Sequence, residues 1–280
     1  MMTISVLMSV YKAEKSEYLS LALRSIWDEQ SVRPTQIIIV EDGDLGSELQ
    51  EVIIAFEEKV TKEGAVFTRL KNETNLGLTK SLNKGITAVT SDLIARMDSD
   101  DRATPRRFEL QMRYLQEHPE VDVCGGSLQE FDAAHDNLNV RHYPLTHEEC
   151  AKYIVKASPF AHPAVMMRTK MFKEGLKYDE RYRTSQDIKL WFDALLHGCR
   201  FGNIDDVCLY FRREGDVFKR RSRAKAKNEF KIYMSGIYRL KGIFCLDYFY
   251  PIARFIFRNL PVPVVKMIYG SKLRNGILQK

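Results

Sequence analysis

The chain is poor in the features that sort a protein quickly. It has five cysteines in 280 residues: Cys124, Cys150, Cys199, Cys208 and Cys245. Their number is odd and no two stand in C-x-x-C spacing, which argues against a zinc site or a disulfide framework. Isolated cysteines in apolar runs read as small core residues of a reducing, cytosolic compartment. No run of about 18 uncharged apolar residues occurs, so no simple membrane-spanning helix is expected. The apolar start, MMTISVLMSVYK, lacks the basic flank of a signal peptide and reads as a buried strand. Neither G-x-x-x-x-G-K-[ST] nor G-x-G-x-x-G is present, which removes the P-loop and the dinucleotide fingerprint. Internal repeats and low-complexity linkers are missing too.

What is present suits a globular enzyme-sized body. Apolar residues make up 45%, enough for a core and too much for a disordered chain. The 43 basic and 37 acidic residues sum to +6, but they are unevenly placed. Residues 211–280 hold 17 lysines and arginines against four acids, a balance of +13, so residues 1–210 carry −7. This asymmetry marks an acidic body over 1–211 and a basic tail over 212–280, with an anionic partner expected at the tail.

Along the body, strand and helix patterns alternate. Apolar runs of strand length cover Ile4–Val10, Gln36–Glu41, Ala65–Leu70, Asp92–Met97 and Val121–Gly126. Helical spacing covers Tyr18–Trp27, Leu45–Glu63, Thr79–Val89 and Pro105–His118, the last with Thr104 as N-cap and Pro105 at its first position. Further on, His147–Ala157 reads as a helix, Pro163–Arg168 as a strand, Gln186–His197 as an amphipathic helix and Asp205–Phe211 as a strand. Lys219–Leu240 reads as a basic helix. The order predicts an α/β fold with a mostly parallel, twisted sheet flanked by helices. Ligands of such sheets lie beyond the carboxyl ends of the strands, which directs attention to Ser9–Tyr11, Glu41–Gly43 and Asp98–Asp101.

Asp98-Ser99-Asp100-Asp101 is the densest of these clusters. Carboxylates this close repel unless a cation or many donors neutralise them, and a hard divalent ion with phosphate oxygens fits. A plain polar loop before a helix is the alternative. Glu41 and Asp42 can accept hydrogen bonds from a base or sugar, or can form an ordinary turn. Asn75-Leu76-Gly77-Leu78 opens a helix whose amides suit phosphate, or serves only as a helix entry. Asp187 at a helix start is stabilised as an anion and can act as a general base, or can simply cap.

In combination these segments resemble one family. ISVLMSVYK, IIIVEDG, NLGLTKSLNKGI, MDSDD, HPAVMMR and SQDIKLW follow in the order and spacing of the family 2 glycosyltransferases, over roughly residues 3–212. The resemblance implies a GT-A fold, with 1–102 as the nucleotide-binding half and 103–211 as the acceptor-binding half. It implies that Ser9 and Tyr11 contact the nucleotide, with Tyr11 beside uracil, and that Asp42 reads the base. Glu41, Asn75, Gly77, Asp98 and Ser99 join them around the nucleotide-sugar. Asp98 and Asp100 match the Asp-x-Asp pair that holds Mn²⁺ or Mg²⁺ on the diphosphate, and Asp187 matches the catalytic base. Asp101, His162, Gln186 and Trp191 fall on the acceptor side; Gln186 stands where most members have glutamate. Many members place a histidine in the arm after the last strand, and Arg220 or Arg221 is expected to pair with diphosphate in its stead.

The implied activity is inverting transfer of a hexosyl or N-acetylhexosaminyl group. The expected donor is a UDP-sugar, and the expected acceptor a hydroxyl of a glycan or lipid-linked glycan in capsule, lipopolysaccharide or other surface polysaccharide synthesis. The basic, aromatic-rich tail, with Phe244, Tyr248, Phe249, Phe255, Ile256 and Phe257, suits a peripheral position on anionic lipid at the inner face of the plasma membrane better than nucleic acid. Two alternatives stand beside this reading. A nucleotidyltransferase on a similar sheet would want a glycine-rich loop after the first strand, where SVYKAEKSEY has none. A nucleic-acid-binding protein would rest on the charge of the tail alone.

Overall fold

A computed structural model describes residues 2–132, 135, 138–213 and 223–260. The chain divides into two compact units, 1–214 and 215–280.

The first unit alternates strands and helices through its opening half. These are β1 (Ile4–Val10), α1 (Ser16–Trp27), β2 (Gln36–Asp42), α2 (Ser47–Lys62), β3 (Val66–Asn72), α3 (Leu78–Ile86) and β4 (Leu93–Met97). Then come β5 (Arg102–Ala103), α4 (Arg107–Glu117), β6 (Val123–Phe131), β7 (Val140–Arg141), α5 (His147–Tyr153), β8 (Met166–Arg168), α6 (Lys170–Lys173), α7 (Gln186–Leu196) and β9 (Phe201–Arg212). All the described strands join one sheet in the order β3-β2-β1-β4-β8-β6-β9-β5, with β7 on the flank of β6. The long pairings, β3 to β2, β2 to β1, β1 to β4 and β6 to β9, are parallel. The short pairings through β8, β7 and β5 are antiparallel.

Helices cover both faces of the central strands, which explains their unbroken apolar runs. Val6, Met8, Ile37, Ile39, Leu93 and Ala95 are fully buried, and Leu19, Leu23 and Ile26 of α1 and Ile53 of α2 close over one face. Parallel connection puts the carboxyl ends of β1, β2 and β4 at one edge, and the three polar clusters share it.

Several boundaries differ from the sequence expectation. Thr104 does not cap α4: its hydroxyl donates to the carbonyl of Val207, Pro105 and Arg106 form a turn, and the helix starts at Arg107. The expected strand at 163 begins only at Met166, because His162–Ala164 winds into a 3₁₀ turn. β9 starts at Phe201 rather than 205 and runs through Arg212. β6 and β9 pair over most of their length despite a bulge around Ser127.

The second unit contains α8 (Arg223–Lys241), a 3₁₀ turn at Leu246–Tyr248 and α9 (Phe249–Asn259). The two helices pair through Phe230 against Phe255, with ring centroids 4.8 Å apart. Arg258 bonds Glu229 at 2.9 Å, and Arg254 donates to the Tyr233 hydroxyl at 3.2 Å. Among the described residues no helix is long and apolar enough to cross a membrane.

Candidate active site

The cluster after β4 is built by crowding. Asp98, Asp100 and Asp101 each offer a carboxylate oxygen, and those oxygens lie within 4.8 Å of one another. Asp98 is gripped by Arg96, whose guanidinium donates to both of its oxygens, one bond being 2.8 Å. Arg96 is itself 2% exposed. Residues two apart on a strand share a face, so the grip follows from the spacing. Asp100 is pushed up to about 6 by burial first, then by the charges of Asp98 and Glu14. Asp101 is fully buried and held well above the usual carboxylate range, by burial and then by Asp98 and Asp100. One of its oxygens accepts the Arg212 amide at 2.8 Å; the other has no hydrogen-bond partner among the described residues.

These observations fit a divalent cation. The donors are all oxygen, they converge, one buried oxygen is orphaned, and burial together with mutual repulsion disfavours the charged carboxylates. A hard cation relieves each of these conditions.

Arg212 closes the cluster from the other side. Its Nε donates to the Asp100 carbonyl at 2.8 Å, and its guanidinium lies 3.8 Å from the centroid of the Tyr18 ring. Sequence composition put this residue in the tail, whereas the structure makes it the end of β9. Ser99 is buried and its hydroxyl donates to Glu14.

At the end of β2 the acids are already occupied. Glu41 is 1% exposed and is bound by Arg69 and by Gln50. Asp42 accepts from Asn72 at 3.0 Å and from the amides of Leu76 and Gly77 at 2.7 and 2.9 Å. The Gly77 amide, expected to face phosphate, therefore points at Asp42, and Asn75 is an exposed member of the same loop. Gly43 permits the approach: its φ is +90°, and a Cβ there would sit 2.9 Å from the Asn75 nitrogen. Ser9 is half-buried at the end of β1, and Tyr11 just beyond it is 47% exposed, its ring open to a ligand.

Asp187 lies in the first turn of α7. The preceding Ser185 has φ 62°, the one non-glycine residue with positive φ among those described. Such strain clusters at functional sites. The buried Tyr178 phenol is pushed up by burial first; Arg96 opposes the shift, and Asp187 and Asp98 add to it.

The residues expected on the acceptor side are mostly interior. His162 bonds the Tyr178 hydroxyl at 2.7 Å, and burial, with Arg96, holds its imidazole well below its ordinary value. Trp191 is fully buried against Phe160 and Phe201. Gln186 and Asp101 are buried as well. In this conformation none of the four presents a surface to an acceptor. Arg220 and Arg221 lie outside the described residues.

Sequence reading passed over Arg96, Tyr178, Ser185 and Arg212. Arg96 left a signal: a lone arginine in LIARM, inside an otherwise apolar strand, needs an anion nearby.

The family model for glycosyl transferase family 2 matches residues 5–176. The chain is 32% identical over 274 residues to the amylovoran biosynthesis glycosyltransferase AmsE of Erwinia amylovora, covering 97% of this chain and 99% of that one. It is 31% identical over 272 residues to the Escherichia coli UDP-Gal:alpha-D-GlcNAc-diphosphoundecaprenol beta-1,3-galactosyltransferase, covering 96% of each. Among solved structures, S. aureus TarS 1-349 superposes with a TM-score of 0.65 at 17% identity, over 99% of this chain and 75% of that one. The same fragment in complex with UDP-GlcNAc gives a TM-score of 0.64 at 18% identity, over 98% and 78%. The architecture is the GT-A type expected from the sequence.

Proposed function

The chain belongs to glycosyl transferase family 2, and from that premise we propose that it moves a sugar from a UDP-sugar to a hydroxyl of a lipid-linked glycan in cell-surface polysaccharide synthesis. The observation that carries this reading is the convergence of Asp98, Asp100 and Asp101 at the carboxyl edge of the sheet, with one buried oxygen of Asp101 left without a partner among the described residues. A glycosyl transfer needs both a base and a seat for diphosphate. The E. coli relative, which acts on UDP-Gal and a GlcNAc-diphosphoundecaprenol, supports the donor and the class of acceptor.

Asp187 takes the proton of the acceptor hydroxyl. The oxygen then attacks the anomeric carbon from the face opposite the diphosphate, the bond from that carbon to the diphosphate oxygen breaks, and UDP leaves with the electron pair. The sugar inverts. Tyr11 offers its exposed ring to the base, beside Ser9, while Asp42 holds the Leu76–Gly77 loop that borders the nucleotide. Arg96 fixes Asp98, and Arg212 fixes the backbone at Asp100 and the carboxylate of Asp101. Asp100, Asp98 and the unpartnered oxygen of Asp101 would hold Mn²⁺ or Mg²⁺, which would supply positive charge for the leaving diphosphate.

A panel of UDP-sugars, each with Mn²⁺, Mg²⁺ or chelator, tests the reading by UDP release in the presence of glycan-diphospholipid. Asp187→Asn should abolish transfer and leave UDP affinity unchanged; normal transfer by this variant removes Asp187 as the base.

The second unit supports a membrane-surface position. Its turn between α8 and α9 exposes Phe244 and Leu246 almost completely, followed by Phe249. Exposed apolar clusters of this kind mark interaction surfaces. Arg223, Lys227 and Lys231 are exposed along α8, whereas Lys241, Arg254 and Arg258 are paired within the unit. Apolar insertion at the turn with charge along α8 fits an anionic bilayer. Flotation with anionic vesicles should carry the protein up, and Phe244→Ser with Leu246→Ser should leave it at the bottom. Equal flotation of both would assign the turn another role.

A further inference from the structure

The segment that leads to Asp187 has no helix or strand of its own. It runs over residues 174–185, from the end of α6 to the start of α7. A loop of this length keeps one conformation only where other elements satisfy its backbone. The element that does so here is α3, through Thr79 and Asn83 of the NLGLTKSLNKGI motif.

Asn83 pairs with Tyr178 in both directions. Its Oδ1 accepts from the Tyr178 amide and its Nδ2 donates to the Tyr178 carbonyl, each at 2.9 Å. The same Nδ2 donates to the Glu180 carboxylate at 3.0 Å. One turn earlier, the buried Thr79 hydroxyl donates to the Tyr182 carbonyl at 2.7 Å. Residues four apart share one face of a helix, so Thr79 and Asn83 act on the loop together. Elsewhere α3 packs on the sheet. Leu82 is fully buried, and a Cβ at Gly85 would collide with the Leu7 side chain of β1. The helix is seated on the sheet, and the loop is seated on the helix.

The same helix begins at the loop that Asp42 holds. Asp42 accepts from the amides of Leu76 and Gly77. Arg183, next after the clasped segment, covers the α-carbon of Gly77: a Cβ there would sit 3.4 Å from the arginine Nε. One helix thus carries the nucleotide-side loop at its start and the base-side loop along its flank. Resting on the glycosyl-transfer reading, we propose that Thr79 and Asn83 are positioning residues for Asp187. By clasping 178–182 they set where the base points and tie it to the loop that borders the donor.

Two routes lead from the clasp to the base. Along the backbone, Tyr182 stands three residues before Ser185, whose φ of 62° turns the chain into α7. Little slack remains between a fixed carbonyl and a fixed dihedral so close together. Through the interior, the Tyr178 hydroxyl bonds His162 at 2.7 Å, and the His162 ring meets Trp191 of α7 edge-on, with centroids 6.1 Å apart. Trp191 follows Asp187 by one helical turn. The burial that keeps His162 and Trp191 from an acceptor is what this second route requires.

Thr79→Val removes the hydroxyl and keeps the branched shape, whereas Thr79→Ser keeps the hydroxyl. Transfer is followed with the active UDP-sugar and a glycan-diphospholipid. Thr79→Val should lower kcat about a hundredfold, the scale of a reacting group displaced by about 1 Å, with donor KM and UDP affinity unchanged. Thr79→Ser should restore kcat, and a thermal melt checks each fold. Asn83→Ala should lower kcat in the same way. Backbone amide exchange over 178–187 gives a second readout that needs no turnover. Without ligand these amides should exchange faster in Thr79→Val than in the parent. UDP with Mg²⁺ should slow them in the parent and should bind Thr79→Val without slowing them. Unchanged kcat in Thr79→Val overturns the proposal, as does a loss that Thr79→Ser fails to restore or that UDP affinity shares. A parent that neither binds UDP nor releases it from any UDP-sugar speaks against the transferase reading itself. Equal exchange over 178–187 in the unliganded parent and Thr79→Val removes the clasp whichever way that reading falls.

Discussion

Glu41 and Asp42 close β2, and Asp98, Asp100 and Asp101 follow β4, with only β1 between the two strands. Both clusters are acidic, both are largely buried, and both lie at the carboxyl edge where ligands of parallel sheets bind. Their surroundings differ. Glu41 has Arg69 and Gln50, and Asp42 has three donors. Asp100 is crowded by like charge, and Asp101 keeps an orphaned oxygen. Buried polar groups are ordinarily satisfied, so the orphaned Asp101 oxygen makes this cluster the one on which the proposed metal and diphosphate site is placed. The satisfied one braces the loop at Leu76 and Gly77.

The comparison can be broken most forcefully at Asp100. Asp100→Asn removes a charge that burial and repulsion disfavour, so the chelated protein should melt no lower than the parent. Transfer should fall about a thousandfold, the scale of losing a group that stabilises transition-state charge. A variant that melts much lower but still transfers sugar makes the cluster structural. Arg69→Ala is the converse. It leaves Glu41 buried without its cation and should cost about 3 kcal/mol in urea denaturation, with activity retained in the cold. Lost activity at undiminished stability would return Glu41 to the nucleotide site, where the family resemblance set it.

His162 gives the smallest effect and sharpens the contrast between interior and site. Its folded pKa lies well below the ordinary 6.5, because burial and then Arg96 disfavour the cation. The unfolded chain therefore binds the extra proton first. Stability from this group is complete above pH 6.5 and is lost as pH falls below it, by about 1–2 kcal/mol at pH 5. His162→Phe should flatten the decline in melting temperature between pH 7 and pH 5. An unaltered slope would mean that His162 titrates normally and reaches solvent.

The two acid clusters were equally visible in the sequence, since carboxylates after apolar strands stand out. Which of them is satisfied was not, because the donors arrive from far along the chain: Arg69 to Glu41, and Leu76 and Gly77 to Asp42. β1, β2 and β4 were readable because burial on both faces makes their apolar runs continuous. The start of β9 was hidden in Phe201-Gly202-Asn203, where glycine and asparagine disfavour strand. There Asn203 is fixed by its side-chain bonds to the carbonyls of Pro144 and Pro159. Thr104 looked like a cap and instead ties α4 to β9. His162 and Trp191 carried the motif but not the exposure: a family pattern marks residues that hold a site in shape as readily as residues that touch its ligand.

Ser185 sets a constraint on any attempt to make this protein more heat-resistant. A serine held at φ 62° carries strain of about 1 kcal/mol or more that glycine would not. Selection for thermal survival alone would thus favour Ser185→Gly. The same exchange frees the backbone at the start of the helix that carries Asp187, so under the proposed mechanism a screen that scores only survival would enrich robust proteins with a poorly directed base.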